Sequence, residues 1–134
     1  GLPEAVAAGA DVPRLVHALA RVVRQMHDRH VSHRDLKAAT LMLANGTDPV
    51  FIDLVGVRVG RAVSVRQRAK ELARLNASFL RSPRVRHADR VRFVRAYLAA
   101  GPAVGGDWRS WWKLVSAATA AKVAKNARSG RLLE

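Results

Sequence analysis

Cysteine is absent from the 134-residue chain, aromatic residues make up only 5% of it, and acidic residues are few. Without cysteine, neither a disulfide framework nor a cysteine-based zinc site can form. No apolar run approaches the ~20 residues that a membrane-spanning helix needs, and no signal-peptide pattern opens the chain. The chain is long enough to form one globular domain, and its 49% apolar residues are enough for a buried core.

The scarcity of acidic residues leaves a strongly positive chain, with 24 Lys and Arg against 10 Asp and Glu and a formal net charge of +14. Nearly all of this excess lies in the second half, because residues 1–60 carry a net +1 and residues 61–134 a net +13. Residues 61–95 alone carry +9. This asymmetry favours an anionic partner that offers phosphate groups, nucleic acid or an acidic membrane surface. The alternative is that these side chains are only exposed to water on helix faces and bind no partner.

Helix start and stop signals predict four helices. Capping residues or breaks place their starts near Asp11, Ser64, Ala88 and Asp107. The first helix should end near His30, and the last should fray beyond about Ala124. Residues 125–134 are therefore expected to form a frayed basic tail, and residues 1–10 a linker remnant.

Two short apolar segments between the first and second helices, residues 40–43 and 50–52, predict a β-hairpin. The turn-forming residues between them support this reading. The predicted fold is one domain over residues 1–134, mainly α with a small β-hairpin. Trp108, Trp111 and Trp112 share one face of the fourth helix and are expected in the core.

Charged residues flank the predicted hairpin in two motifs. The segment before it reads His33-Arg34-Asp35-Leu36-Lys37, and its second strand runs into Asp53-Leu54-Val55-Gly56. Because a hairpin folds the chain back, we expect Asp35, Lys37 and Asp53 to converge on one cleft, with the two carboxyl groups within ~12 Å. Phosphoryl transfer uses such a set: one carboxylate accepts a proton, another holds Mg²⁺, and a cation meets the phosphate.

These motifs resemble the catalytic core of the protein-kinase-like superfamily. The helix at Ser64 begins only 11 residues after Asp53, and no Ala-Pro-Glu motif follows, so a long activation segment has no room. Residues 68–80 and 92–98 are similar to the lipopolysaccharide kinase (Kdo/WaaP) family, whose members use ATP to phosphorylate sugars of the lipopolysaccharide inner core. The resemblance spans about residues 12–100.

The resemblance implies a carboxy-terminal, helical kinase lobe that uses ATP and Mg²⁺. It makes Asp35 the catalytic base, Lys37 the cation at the γ-phosphate and Asp53 the Mg²⁺ ligand. Thr40 stands where the family motif has its second metal-binding residue, Asn. Residues 1–10 are too short for the Gly-rich loop and strand Lys of an amino-terminal lobe. The chain alone is therefore expected to be inactive and to need that lobe or a parent chain.

His33 and Arg34 would shape the loop, and a row of cations after the second motif would bind an anionic glycolipid or phosphosugar acceptor. These cations are Arg58, Arg61, Arg66 and Lys70. The resemblance implies a cytoplasmic bacterial protein, with peripheral association at the inner face of the inner membrane left open. Nucleic acid is not an expected partner, because that reading leaves the catalytic-loop match unexplained.

Other readings stay open at this point. A pseudokinase-like scaffold is favoured by Thr40 and opposed by Asp35, Lys37 and Asp53. A protein Ser/Thr kinase-like enzyme is a further alternative, as is a basic module that binds nucleic acid or lipid through residues 61–95.

Three further expectations concern side-chain environments. Without an amino-terminal lobe, the apolar side chains of Leu41, Leu43 and Phe51 should face solvent and drive self-association. His27 and His30 are expected to interact with the C-terminal dipole of the first helix. Asn76 is expected to make a buried hydrogen bond.

Overall fold

The computed structural model describes residues 1–38, 41–44, 48–51 and 56–129. Its helices are α1 (Leu2–Ala7), α2 (Val12–Asp28), α3 (Val65–Phe79), α4 (His87–Ala99) and α5 (Trp108–Arg128). Its strands are β1 (Val31–His33), β2 (Leu41–Ala44), β3 (Asp48–Phe51) and β4 (Val57–Val59). The predicted class, mainly α with a small hairpin, is confirmed. Over the same residues, no helix combines the length and hydrophobicity needed to cross a membrane.

Side-chain caps begin three of the helices where the sequence predicts. The Asp11 carboxylate accepts the Arg14 N–H at 3.3 Å, and the Asp107 carboxylate accepts the Ser110 N–H at 2.9 Å. The Ser64 hydroxyl accepts the N–H three residues ahead at 3.1 Å. Each cap satisfies a backbone donor that has no partner within the helix, which fixes these boundaries.

Two antiparallel strand pairs lie between α2 and α3. The pair β2–β3 is the predicted hairpin, with Leu41 opposite Phe51. The pair β1–β4 was not predicted, and it sets His33 opposite Val57. His30 begins it with a left-handed φ of 62°. This second pair brings the residues after β1 against the residues before β4.

The start of the chain corrects two expectations. Residues 1–10 contain α1, whose Leu2 and Val6 are 3% and 7% exposed, so the linker-remnant prediction is wrong. Because α1 packs against β2, Leu41 is fully buried and Leu43 is half-buried rather than facing solvent. The side chain of Phe51 lies outside the described part of the structure. Leu41 and Leu43 therefore offer little exposed apolar surface for self-association.

The hydrophobic core lies between α2, α3, α4 and α5, with α1 and β2 at one side. Trp111 is buried at 2% exposure, but Trp108 and Trp112 are only half-buried, so the aromatic face of α5 enters the core only in part. Helix α5 continues to Arg128 and buries Asn126, which contradicts a frayed tail for residues 125–128. Residues 130–134 lie outside the described residues.

A buried arginine on α2, Arg24, binds the carbonyl groups at the C-terminal end of α4. The Arg24 guanidinium is fully buried and donates to the carbonyl oxygens of Tyr97 at 2.9 Å, Leu98 at 3.2 Å and Pro102, while its Nε donates to Asp28 at 2.9 Å. It satisfies carbonyl groups at the helix C-terminus that lack partners within the helix. A Cβ at Gly101 would lie 2.9 Å from Arg24 Nη2 and 2.6 Å from Asp28 Oδ2, so the guanidinium needs glycine there.

Candidate active site

The pair β1–β4 joins the two sequence motifs. We call residues 34–38, which follow β1, the motif loop. The Arg34 N–H donates to the Gly56 carbonyl oxygen at 3.1 Å, and a Cβ at Gly56 would lie only 3.1 Å from Asp35 Oδ2 and 3.2 Å from the Asp35 nitrogen. The glycine that ends the second motif therefore sits directly against the aspartate of the first. Two predicted site residues, Asp53 and Thr40, lie outside the described residues.

Asp35 presents its carboxylate to solvent, with 57% of the side chain exposed. Its backbone N–H donates to His33 Nδ1 at 3.2 Å, and His33 itself is fully buried. Leu36, also fully buried, fixes the middle of the motif loop in the core. Lys37 follows on the same loop and is half-buried. The loop thus combines a fixed backbone with an accessible carboxylate.

One face of α3 supports the motif loop with three polar residues at helical spacing, Glu71, Arg74 and Ser78. The Glu71 carboxylate accepts the His33 N–H at 2.7 Å, and the Ser78 hydroxyl accepts the Ala38 N–H at 3.0 Å. Arg74 Nη1 lies 3.4 Å from Asp35 Oδ1. Neither Glu71 nor Ser78 was predicted from the sequence, because a polar residue on an amphipathic helix usually faces water.

Behind the loop, a buried hydrogen-bond network extends from Glu71 to α4. His27 is fully buried, with Nε2 3.0 Å from Glu71 Oε1 and Nδ1 2.6 Å from the Tyr97 hydroxyl. Arg68 donates to that hydroxyl at 3.0 Å and to Asp28 at 3.1 Å. Burial raises the pKa of Tyr97 to about 12, and the Arg68 hydrogen bond opposes this shift. The phenol therefore stays protonated, and its oxygen accepts from Arg68 while the hydroxyl and His27 Nδ1 share a hydrogen bond.

This network replaces the role expected of His27 and His30. His27 does not face the helix dipole at the surface, because its ring bridges Glu71 and Tyr97 inside the core. His30 forms the turn into β1. Asn76 makes the buried hydrogen bond expected of it, since its Nδ2 donates to Thr119 Oγ1 at 3.0 Å.

The predicted acceptor-binding cations Arg58, Arg61, Arg66 and Lys70 are all exposed. Arg66 and Lys70 lie at a four-residue spacing on α3, and the next position of that stripe is Arg74 beside Asp35. Among the other cations of residues 61–95, Arg90, Arg92 and Arg95 lie on α4, and three more lie between α3 and α4. The basic cluster is therefore divided between helices, and only part of it leads towards Asp35.

Within the described residues, no three His, Cys, Asp or Glu side chains surround a common metal position. The Asp35 carboxylate is the described oxygen donor of the motif loop, and hard cations such as Mg²⁺ prefer carboxylate oxygen. The motif loop therefore offers the accessible carboxylate of Asp35 and, two residues later, Lys37. Gly56 of the second motif is in contact with this loop.

One of three comparisons with known proteins identifies a family for the chain. The family model described as the lipopolysaccharide kinase (Kdo/WaaP) family matches residues 4–97, which cover both motifs and the helices that support them. A search of curated proteins and a search of solved structures each found no match. The matched region is more than half of the chain, and the chain belongs to the lipopolysaccharide kinase (Kdo/WaaP) family.

Proposed function

We propose that the chain supplies the catalytic lobe of an ATP-dependent kinase that phosphorylates a sugar hydroxyl of the lipopolysaccharide inner core or a similar glycolipid. The observation that carries this proposal is the contact between the motifs: Gly56 closes directly on Asp35 while the Asp35 side chain remains exposed. Family membership supports the reaction class. A buried carboxylate at this position would argue against it; Asp35 remains 57% exposed although Arg74 lies 3.4 Å away.

In the proposed reaction, Asp35 accepts the proton of the attacking sugar hydroxyl, and the ammonium group of Lys37 meets the transferred phosphoryl group. The hydrogen bond from the Asp35 N–H to His33 Nδ1 holds the backbone of the base. Glu71 fixes His33 in turn. His33 and Arg34 therefore shape the loop, and neither takes part in proton or phosphoryl transfer.

ATP and Mg²⁺ are the proposed cofactors. Asp53, three residues before Gly56 in the sequence, would hold Mg²⁺, with Thr40 as a weaker neutral oxygen donor. When bound, the metal ion offsets negative charge on the phosphates. The exposed carboxylate of Asp35 fits such a group, because hard cations prefer carboxylate oxygen.

The acceptor is proposed to be an anionic glycolipid or phosphosugar that approaches over β4 and the first turns of α3. Arg58 and Arg61 lie on and just after β4, and Arg66 and Lys70 begin a stripe that continues to Arg74. Exposed cations along this path steer an anionic substrate towards Asp35. A cytoplasmic bacterial location, with the enzyme bound peripherally to the inner face of the inner membrane, would give access to such an acceptor.

The test is phosphate transfer from ATP to purified lipopolysaccharide inner core by a longer protein that joins this chain to an ATP-binding lobe. Asp35→Asn is expected to lower kcat by at least ~100-fold, because the variant cannot accept the hydroxyl proton. Asp48→Asn, at an exposed aspartate on the hairpin, is the matched control. Unchanged turnover in Asp35→Asn with intact folding would exclude this role and favour a scaffold function.

The 134-residue chain by itself is proposed to be inactive, since residues 1–10 hold none of the ATP-gripping elements of an amino-terminal lobe. The same assay without an added lobe checks this point. Turnover by the chain alone would contradict the proposed inactivity and leave the assignment of Asp35 intact.

Acceptor binding has its own test in the active enzyme. Arg61→Ala combined with Arg66→Ala is expected to raise the acceptor KM and leave the KM for ATP unchanged. Added salt should raise the acceptor KM of the parent enzyme, because it screens exposed charges. Unaltered kinetics in the folded variant would mean that these cations only contact water and do not bind the acceptor.

A further inference from the structure

A trough follows the outer face of α4 and shares no described residue with the motif loop or α3. Helix α4 packs against both α2 and α5 and forms the floor, while the first half of α2 and the start of α5 form the walls. Its volume is about 1660 Å³. Pockets for small ligands usually measure roughly 300–1,000 Å³, so the trough has room for an extended ligand.

The α2 wall is cationic. Arg14, His17 and Arg21 lie at positions i, i+3 and i+7 of one helix face, and all three are exposed. The guanidinium groups of Arg14 and Arg21 form no ion pair with any residue that the structure describes. Two carboxylates, Asp11 and Asp107, also line the trough, and both already accept hydrogen bonds as helix caps. This wall therefore offers unpaired positive charge at helical intervals.

The polar floor residues His87, Arg92 and Arg95 are each engaged with a neighbour: the Trp112 ring, Asp89 and the Trp108 ring, respectively. The rest of the floor and the opposite wall is largely apolar. The α5 wall presents the half-buried rings of Trp108 and Trp112, and Arg95 of the floor lies with its guanidinium 4.9 Å from the Trp108 ring centre. Small apolar residues occupy much of the space between the walls: Ala18, Ala88, Val91, Ala96 and Ala99. A ligand that fills the trough must be negative along the flank facing α2 and apolar towards α4 and α5.

We propose that the trough binds an acidic amphipathic α-helix of about three turns, supplied by a partner polypeptide. Helix α4 has 13 residues and is about 20 Å long, which matches such a helix. Asp or Glu at i, i+3 or i+4 and i+7 would face Arg14, His17 and Arg21 in register. Small floor residues permit close helix approach. A flat bilayer cannot enter the concave trough, and a single phosphate would leave the tryptophan wall uncovered.

The experiment uses the 134-residue chain and a synthetic 18-residue helical peptide with a Leu and Ala face flanked by Glu. A shuffled peptide of identical composition, without an amphipathic face, is the first control. Vesicles of phosphatidylglycerol and phosphatidylethanolamine, and inorganic phosphate, are the competing probes. Binding is measured by anisotropy of the labelled peptide at 50 and 300 mM salt. Arg14→Ala/Arg21→Ala is compared with Lys113→Ala/Lys125→Ala, which removes two exposed α5 cations outside the trough.

The amphipathic peptide is expected to bind more tightly than the shuffled one and to lose affinity at higher salt. Arg14→Ala/Arg21→Ala should weaken binding about tenfold, and the control pair should change it less than twofold. Trp112→Phe, with folding checked by thermal unfolding, should weaken binding without changing its salt dependence. Equal binding of both peptides, binding unaffected by Arg14→Ala/Arg21→Ala, no binding, or binding of vesicles or phosphate in place of the peptide would each overturn the proposal.

Discussion

Glu71 supports the motif loop from inside the core, and its removal should therefore destabilise the whole domain. The carboxylate is fully buried and accepts hydrogen bonds from the His33 N–H at 2.7 Å, His27 Nε2 at 3.0 Å and Gln67 Nε2 at 2.8 Å. Glu71→Ala leaves two buried donors without a partner, while Gln67 lies near enough to solvent to hydrate. Breaking a buried ionic or polar contact of this kind costs about 3–5 kcal/mol.

That loss is large against the roughly 5–15 kcal/mol that stabilises a typical domain. In urea, with a slope of about 1–3 kcal/mol per molar, it should lower the unfolding midpoint by about 2 M. Glu71→Gln keeps an oxygen for the His33 N–H but turns an amide donor towards His27 or Gln67, so an intermediate loss is expected. Glu4→Ala, at a side chain that is 78% exposed, is the matched control and should leave the unfolding midpoint nearly unchanged.

The assay is urea unfolding followed by circular dichroism, together with hydrogen exchange of the His33 amide. Exchange at His33 should accelerate in Glu71→Ala even in the absence of urea, because the amide loses the hydrogen bond to the Glu71 carboxylate. An unfolding free energy for Glu71→Ala within 1 kcal/mol of that for Glu4→Ala would refute the reasoning. Unchanged exchange at His33 would refute the anchoring of the loop.

Two further outcomes concern Gly56 and Tyr97. Gly56→Ala should lower kcat of the active enzyme roughly 100-fold with a small change in Tm, because its Cβ would displace Asp35. Gly60→Ala should show the opposite pattern, a lower Tm with kcat retained, because its φ of +113° strains alanine while its Cβ meets nothing within 4 Å. Since the pKa of Tyr97 is about 12 when folded and about 10 when unfolded, the folded state alone keeps this proton between those pH values. The unfolding free energy should therefore fall by about 2–3 kcal/mol from pH 10 to 12. Tyr97→Phe should lack this decrease in urea titrations, and an identical pH dependence in both proteins would contradict the assignment.

Local signals predicted the helices well because their chemistry is contained in a few neighbouring residues. The caps Asp11, Ser64 and Asp107 each bind an N–H three residues ahead, so the boundary can be seen without tertiary structure. The β1–β4 pair escaped prediction because each strand has three residues and its partner is about 25 positions away. Helix α1 escaped because six residues carry too little periodicity, and its stability comes from packing against β2.

The sequence motifs pointed to the candidate site residues, but the sequence did not show which charged residues are buried around them. The motifs predicted that Asp35, Lys37 and Asp53 converge, and this stays a prediction because Asp53 lies outside the described residues. Gly56, three residues after Asp53 in the sequence, is in contact with Asp35. Nothing local distinguishes Glu71 or Arg24 from the exposed charges around them, because a charged residue on an amphipathic helix usually faces water. Their burial is dictated by partners 38 to 78 positions away in the chain, such as His33 and Pro102.

Because Arg24 and Gly101 lie so close together, the effects of substitutions at these two distant positions should be coupled. A larger residue at 101 meets the guanidinium, and a smaller residue at 24 leaves the carbonyls of Tyr97 and Leu98 unpaired. Neither position can therefore drift alone at low cost, whereas a joint exchange that shortens one side chain as it lengthens the other can preserve the end of α4. Relatives that differ here should differ at both positions together, and a designer who alters one must redesign the other.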